Sequence, residues 1–580
     1  MKKQQKSRKS EEFAILKRSL RLFFNYKKKI IIIIICLGAY VGIAFLIPIL
    51  NKLIIDQGIL EKNYANVLYC ALGIVILGVL HAVVGIVQEQ LRISIYIDVY
   101  RRLIVEVFQA LLHIRVQFFK TKNSTDIFND LEVDTTNILS LFGKHIFFAV
   151  TQLAMFLGGL VGLFIIEHRL AVIVLMFIPA KYALVNFLAR KRKASIADLI
   201  QAKTRFAHWF GDAVQGIKDI RLFGLSDTWE EHLQETITPL TASQKKLAIL
   251  DSSNESIERA MVEVLIGVLY AIGAYLILND SLTMGTLFAL ITYSMYVMDP
   301  ISSLLNIHYS LSGVIPSALR YYRFMDMAAK ERETSGDSPI SSIDTIVFSH
   351  VSFSHTDTPV LSNINFSIHK GEKVAIVGQN GAGKSTLLGL IQKFYEPDSG
   401  TIYINGVDLV EIEKKSYRES LSCINQDSYL FDIDLLENIR LYKDVSEEQI
   451  LLALSQSRAM DFFKGKETST PGQNGGKLSS GQRQKILLAR LLLNKAKVYL
   501  LDEATSNLDV DSENAIMKLM ETTLKDETVI LITHKIELLR NIHKILYLKG
   551  DGSLIVYDSY EAMYQHQYEN LSAMQRVSES

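Results

Sequence analysis

Gly378-Gln379-Asn380-Gly381-Ala382-Gly383-Lys384-Ser385-Thr386 decides the fold of the second half of this chain. It fits the pattern G-x-x-x-x-G-K-[ST], follows the apolar run Val374 to Val377 and precedes the helical run Leu387 to Phe394. That strand, loop and helix order is the setting the pattern requires. Glycines let successive backbone N–H groups wrap phosphates, and the helix N-terminus adds its dipole. Lys384 reaches the β- and γ-phosphates and Ser385 ligates Mg²⁺. Gly378, Asn380, Gly381, Gly383, Lys384, Ser385 and Thr386 are therefore the expected phosphate-binding residues, with ATP and Mg²⁺ as ligands.

A carboxylate pair completes such a pocket. Val498-Tyr499-Leu500-Leu501 reads as a buried strand that ends in Asp502-Glu503. Asp502 is expected to hold Mg²⁺, directly or through water, and Glu503 to polarise the attacking water. From about Ile346 onward the pattern is one of short strand-like runs separated by turns, as an α/β phosphate-loop ATPase needs.

The first half has a different composition. The 580 residues carry a net charge of +1, which implies no bulk attraction to nucleic acid, and 49% are hydrophobic, with the excess before residue 300. Apolar stretches long enough to cross a bilayer occur near Ile30 to Leu53, Val67 to Val87, His145 to Ile166, Leu170 to Leu188, Ala260 to Leu278 and Thr283 to Met298. The run after Lys27, Lys28 and Lys29 has no small-residue cleavage site and is read as a retained first span. Cys36, Cys70 and Cys423 form no C-x-x-C pair, so neither a disulfide framework nor a zinc site is indicated.

The linkers are short after spans one, three and five and long after spans two and four. Residues 1–29 hold eleven basic residues against Glu11 and Glu12, and Arg190-Lys191-Arg192-Lys193 follows span four. By the positive-inside rule both termini and the long linkers are cytosolic, in a multi-pass protein of the cytoplasmic membrane. The linkers 88–142 and 189–259 mix apolar and charged residues at helical spacing, which predicts helices extending beyond the membrane. Their turns are expected near Asn123 to Leu131 and Gly216 to Gly224. Ahead of span one, Phe13, Leu16, Leu20 and Phe23 suit an amphipathic helix on an anionic leaflet.

The expected architecture is an all-α six-helix transmembrane domain with long cytosolic helical extensions, followed by an α/β phosphate-loop ATPase domain. The divisions fall at 1–29 for the basic segment, 30–325 for the transmembrane domain, 326–345 for a linker and 346–580 for the ATPase.

Leu478-Ser479-Ser480-Gly481-Gln482, with Ser479 lying 23 positions ahead of Asp502, resembles the ABC signature LSGGQ, Ser480 standing for its first glycine. Gln426 looks like the Q-loop glutamine, Ser506-Asn507-Leu508-Asp509 like the D-loop and His534 like the switch histidine. The resemblance to ABC exporters covers nearly the whole chain. It implies catalytic roles for Glu503, His534 and Gln426, and a Mg²⁺ site of Ser385, Gln426 and Asp502. It also implies a head-to-tail dimer in which Ser479 and Gly481 meet the γ-phosphate of the partner's ATP, with Ser506 and Asp509 in the D-loop. NSTDIFNDLEVD over Asn123 to Asp134 is similar to the family's first intracellular loop, with Thr125 for a glycine, and Gly216 to Gly224 resembles the second. These imply coupling helices that transmit ATPase closure to the spans.

Two departures stand out. His355 occupies the place of an aromatic that stacks on adenine, and Gln473 replaces a glutamate ahead of the signature. Glu503, Gln426 and His534 are all present, so a homodimer is expected, with a related unlike chain as the alternative partner. His81, Lys181, Glu263, Tyr293 and Tyr296 lie within spans and are the candidate substrate-cavity residues, with Lys181 and Glu263 as a candidate pair. The function these readings favour is ATP-driven export of an amphipathic or peptide-like substrate by alternating access. A lipid flippase or multidrug pump, and an ATP-gated sensor, are the alternatives.

Overall fold

The computed structural model describes residues 18, 21–121, 124–140, 146–355, 358–502, 517–533, 536–540 and 542–566. The chain forms two compact units: Met1–Leu112 with Asn123–Lys330, and His113–Lys122 with Glu331–Ser580.

The first unit is helical because a chain inside hydrocarbon must satisfy every backbone donor and acceptor internally. Its helices are α1 (Lys27–Leu53), α2 (Tyr64–His113), α3 (Gln117–Thr121, counted with the second unit), α4 (Ser124–Ser140), α5 (Ile146–Ile166), α6 (His168–Gln215), α7 (Ile217–Leu222), α8 (Ser226–Leu278) and α9 (Met284–Lys330). Six of them are long and apolar enough to cross a membrane. The 50 residues of α2 make a rod of about 75 Å against a hydrocarbon core of about 30 Å, so spans two, four and five continue far past the bilayer as anticipated. Leu22–Tyr26 is a short 3₁₀ turn, and the amphipathic pattern from Phe13 to Leu20 lies outside the described residues.

The predicted turn over Asn123 to Leu131 needs correction. Ser124–Ser140 is continuous helix, so the described part of that stretch is not a turn. Ser, Thr and Asp open helices, and Thr125 lacks the freedom a glycine would offer for a turn there. The second predicted turn is present: α7 sits between Gly216 and Gly224, the latter in the left-handed region at φ 66°. Its tip is apolar and exposed, with Leu222 at 76% and Phe223 at 70% of full exposure.

Helices α5 and α9 meet through small residues. A Cβ added to Gly162 would lie 2.5 Å from the ring of Tyr293, which is fully buried and whose hydroxyl donates to the Phe45 carbonyl at 2.5 Å. Leu163, Leu170, Val174, Leu265, Leu269, Leu290 and Val297 complete this core. Polar ties fix the helices further along: Arg320 donates to the buried Asp134 carboxylate, Asn137 to Ser317, and Arg192 to Asp251 at 2.6 Å.

The second unit holds two sheets. Strands β1 (Thr345–Ser354), β2 (Pro359–His369), β4 (Ser399–Ile404) and β5 (Val407–Asp408) form an antiparallel sheet in the order β2-β1-β4-β5. Strands β3 (Lys373–Gly378), β6 (Leu421–Ile424), β7 (Val498–Asp502), β8 (Thr528–Ile532), β9 (Lys544–Leu548) and β10 (Leu554–Tyr557) form the other, ordered β10-β9-β3-β8-β7-β6 and parallel except at β10. Every residue of β7 and β8 is buried, which is why these strands read as unbroken apolar runs. The helices that matter below are α10 (Lys384–Ile391), α11 (Lys414–Glu419), α12 (Leu435–Arg440) and α13 (Ser480–Leu493).

Replacing Gly162 with alanine is expected to lower the unfolding temperature of the purified chain, because Tyr293 is pinned by its hydrogen bond and overpacking costs about 1–3 kcal/mol. Gly78→Ala, where an added Cβ meets nothing within 4 Å, should leave it unchanged or raise it. Equal thermal melts for the two variants would contradict this packing account.

Candidate functional site

Parallel strands place all their C-terminal ends on one edge, and the reversal of strand order there makes a crevice for a ligand. Here β3 leads into the phosphate loop, β7 ends in Asp502, β8 ends just before Thr533 and β6 runs into Asn425 and Gln426. Ile376 of β3 and Asp502 of β7 both register with Ile532 of the intervening β8. Asp502 therefore lies level with the root of the phosphate loop, two strand spacings or about 10 Å away. It is 5% exposed.

The loop geometry follows from its glycines. Gly381 and Gly383 have φ of 86° and 97°, and Gly383 is the N-cap of α10. Lys384 is buried and donates from Nζ to the carbonyls of Gly378 at 2.9 Å and Gln379 at 3.1 Å, so its ammonium is held over the loop. Ser385 and Thr386 occupy the first turn of α10, where helix amides are unsatisfied and attract anions. The Gln392 amide, at the end of α10, donates to Asn425 at 2.7 Å and ties this helix to the segment carrying Gln426, which is exposed. Ser385 and Asp502 are oxygen donors of the kind Mg²⁺ takes.

His355 follows β1, and its Nε2 shares a hydrogen bond of 3.2 Å with Thr386 Oγ1. Its ring stands edge-on to Phe353 and Tyr395 at 5.0 and 5.2 Å. The imidazole thus borders the phosphate loop. Glu503, Ser506, Asp509 and His534 lie outside the described residues.

The signature residues open α13. Ser479 is the N-cap: its hydroxyl accepts from the Gln482 amide at 3.2 Å while Gln482 Oε1 accepts from the Ser479 amide at 3.1 Å. This reciprocal cap fits the pattern S-x-x-Q, which was not singled out in the sequence, and gives Gln482 a structural task. Leu478 is half-buried, Ser480, the serine that stands for a glycine, is exposed, and a Cβ on Gly481 would meet nothing within 4 Å. Gln473 is exposed beside Asn474, whose side chain accepts from Arg483 at 3.0 Å. Within α13, Arg490 donates to the carbonyls of Asn438 and Tyr429, and burial pulls its guanidinium down to about 10.

In the helical unit the candidate cavity residues separate. Lys181 is buried and donates to the Met298 carbonyl at 2.8 Å, not to Glu263, which is exposed. Arg259, one turn before Glu263, pairs with Glu255 at 2.9 Å. Tyr293 is a packing residue, for the reasons given above, and Tyr296 is half-buried against it. His81 stacks on Tyr40 at 3.9 Å, and its Nε2 is buried without a hydrogen-bond partner.

A cavity of about 470 Å³ instead lies between α6 and α8, lined by Val185, Leu188, Ala189, Arg192, Asp251, Asn254, Glu255 and Glu258. Each helix contributes residues at i, i+3, i+4 and i+7, a spacing visible in the sequence but not singled out by it. Asn254 Oδ1 within this wall is buried and lacks a partner.

With this geometry in place, comparison with known families is direct. The family model of the ABC transporter transmembrane region matches residues 30–301, and that of the ABC transporter matches residues 361–506. The chain belongs to the ABC transporters, with membrane region and ATPase fused. Relatives include the ATP-dependent lipid A-core flippase of Chromobacterium violaceum, 24% identical over 92% of this chain and 93% of that one. An ABC transporter ATP-binding protein of Streptococcus pneumoniae is 25% identical over 96% of both chains. The fold matches that of a bacterial Atm1-family ABC exporter solved with ATP bound, with a TM-score of 0.78, 21% identity and coverage of 95% of this chain and 98% of that one.

If His355 meets the base, His355→Tyr should tighten ATP binding about two- to tenfold, the worth of a larger aromatic surface, and His355→Ala should weaken it. Equilibrium titration with a fluorescent ATP analogue checks this, and identical affinities in all three proteins would remove His355 from the site.

Proposed function

We propose that this chain is an ATP-driven exporter of an amphipathic or peptide-like compound, working as a homodimer by alternating access. What carries the reading is the convergence of the phosphate loop, Asp502 and Gln426 on one sheet edge, in a chain that also supplies six spans. In this reading Lys384 and the amides of Gly378 to Thr386 hold the β- and γ-phosphates of ATP. Ser385, Asp502 and Gln426 would hold Mg²⁺, which would neutralise charge developing on the phosphates. Glu503 takes the proton of the attacking water, assisted by His534 and Gln426.

The partner subunit's signature helix then closes the site. Its capped N-terminus offers backbone donors to the γ-phosphate, and the exposed Ser480 and uncrowded Gly481 are open to that approach. The exposed apolar tip at Leu222 and Phe223 suits docking on a second copy's ATPase domain, and the basic clusters support cytosolic termini by the positive-inside rule. Closure on ATP turns the cavity outward, and hydrolysis resets it.

The mixed apolar and charged lining between α6 and α8 suits an amphipathic cargo. A lipid cargo is the second reading, favoured by the flippase names of the relatives. The two separate by which class of compound stimulates hydrolysis.

Glu503→Gln is expected to bind ATP, lose hydrolysis by about two to four orders of magnitude, as loss of a general base does, and accumulate an ATP-bound dimer. Size-exclusion chromatography and ATPase assays in detergent read both effects. Wild-type hydrolysis rates in the variant, or no ATP-dependent closure, would overturn the proposed cycle.

A further inference from the structure

Two stretches of backbone lead from the helical unit into the ATPase unit: the segment His113–Lys122 after α2 and the linker after α9. They pair with each other. The Arg115 amide donates to the Glu331 carbonyl at 3.0 Å, and the Glu333 amide to the His113 carbonyl at 2.8 Å, an antiparallel bridge centred on Ile114 and Arg332. Ile114 is buried.

One carboxylate then holds both. Glu396 accepts from Arg115 Nη2 on Oε2 at 3.3 Å and from the Thr334 hydroxyl on Oε1 at 2.7 Å. A second acid reinforces the linker: Glu333 accepts from both Arg418 terminal nitrogens at 3.1 Å, with Lys414 at 3.4 Å. Burial opposes ionisation of Glu333, but Arg418 and Lys414 outweigh it and hold the carboxyl below its usual range. Arg418 also donates to the Lys393 carbonyl at 2.9 Å.

Glu396 is placed to feel the nucleotide. Its neighbour Tyr395 is buried, packs against α10 where a Cβ on Gly389 would come within 2.4 Å, and abuts the ring of His355. His355 in turn bonds Thr386 of the phosphate loop, and its carbonyl accepts from the Gln117 amide at 3.4 Å. The path from Thr386 through His355 and Tyr395 to Glu396 is a run of direct contacts within one packed unit.

We infer that Glu396 is a positioning residue that fastens the segment His113–Lys122 and the linker together onto the end of the phosphate-loop helix, so that ATP binding moves both connections as one. This rests on the export reading above, and it assigns the charge of Glu396 to coupling rather than to catalysis or to holding the fold. A residue that only stabilised the domain would change the melting temperature without changing how residues 113–122 respond to ATP.

Hydrogen exchange of the full chain in lipid nanodiscs, with and without ATP and Mg²⁺, reads this directly. In the wild type, ATP is expected to slow exchange in peptides covering 113–122 and 331–336. In Glu396→Gln and, independently, Arg115→Gln, ATP affinity should stay within about twofold while that slowing falls by about two- to fivefold, the range one partly exposed ion pair accounts for. The double variant should be no worse than either single one, and Glu396→Asp should recover part of the response. Wild-type slowing in both single variants, or additive losses in the double, would overturn the inference. Failure of the wild type to bind ATP would instead sink the export reading itself.

Discussion

A peptide group in hydrocarbon has no water to bond, and that single constraint shapes most of this protein. It forces the first half into helices. It also leaves their apolar flanks exposed within one chain, as at Ile35, Val75, Phe164 and Leu278. Because α2, α6 and α8 each run for about fifty residues, the chain reverses far from the bilayer, and the reversals are where a soluble domain can meet it. The loop at Gly216 to Gly224 keeps its apolar tip free, whereas His113–Lys122 is built into the ATPase unit.

In the second half the governing constraint is the parallel sheet. Strands β3, β8, β7 and β6 are parallel neighbours, so residues separated by more than a hundred positions end on the same edge. Chemistry then needs only short loops: a glycine-rich one for phosphate, an acid at the end of β7 and an amide after β6. The hydrogen bond from Gln392 to Asn425 ties the helix that follows the glycine loop to the segment that carries Gln426.

Much of this was legible because it depends on local pattern. The six apolar runs, the glycine loop and the apolar strand before Asp502 each have a period or spacing that identifies them. What was not legible depends on partners remote in sequence. Lys181 could be recognised as costly in a span, but nothing local indicates the Met298 carbonyl that receives it. Tyr293 looked like a pore residue by type, yet Gly162 and the Phe45 carbonyl draw it inward. The turn expected over Asn123 to Leu131 was misplaced because those residues resemble a loop motif, whereas Ile127, Leu131, Thr135 and Ile138 are buried at helical spacing. Glu396 attracts no attention in sequence, since its two partners lie in other elements.

The central claim is that this chain alone converts ATP hydrolysis into movement of an amphipathic cargo. The most direct measurement is ATPase activity of the purified chain in lipid nanodiscs, titrated with amphipathic peptides, lipids and apolar drugs. The account predicts hydrolysis by this chain without any other protein, raised by one of those classes in a saturable manner. A stable dimer that binds ATP yet hydrolyses none with any of them would contradict it and point to a second, unlike chain.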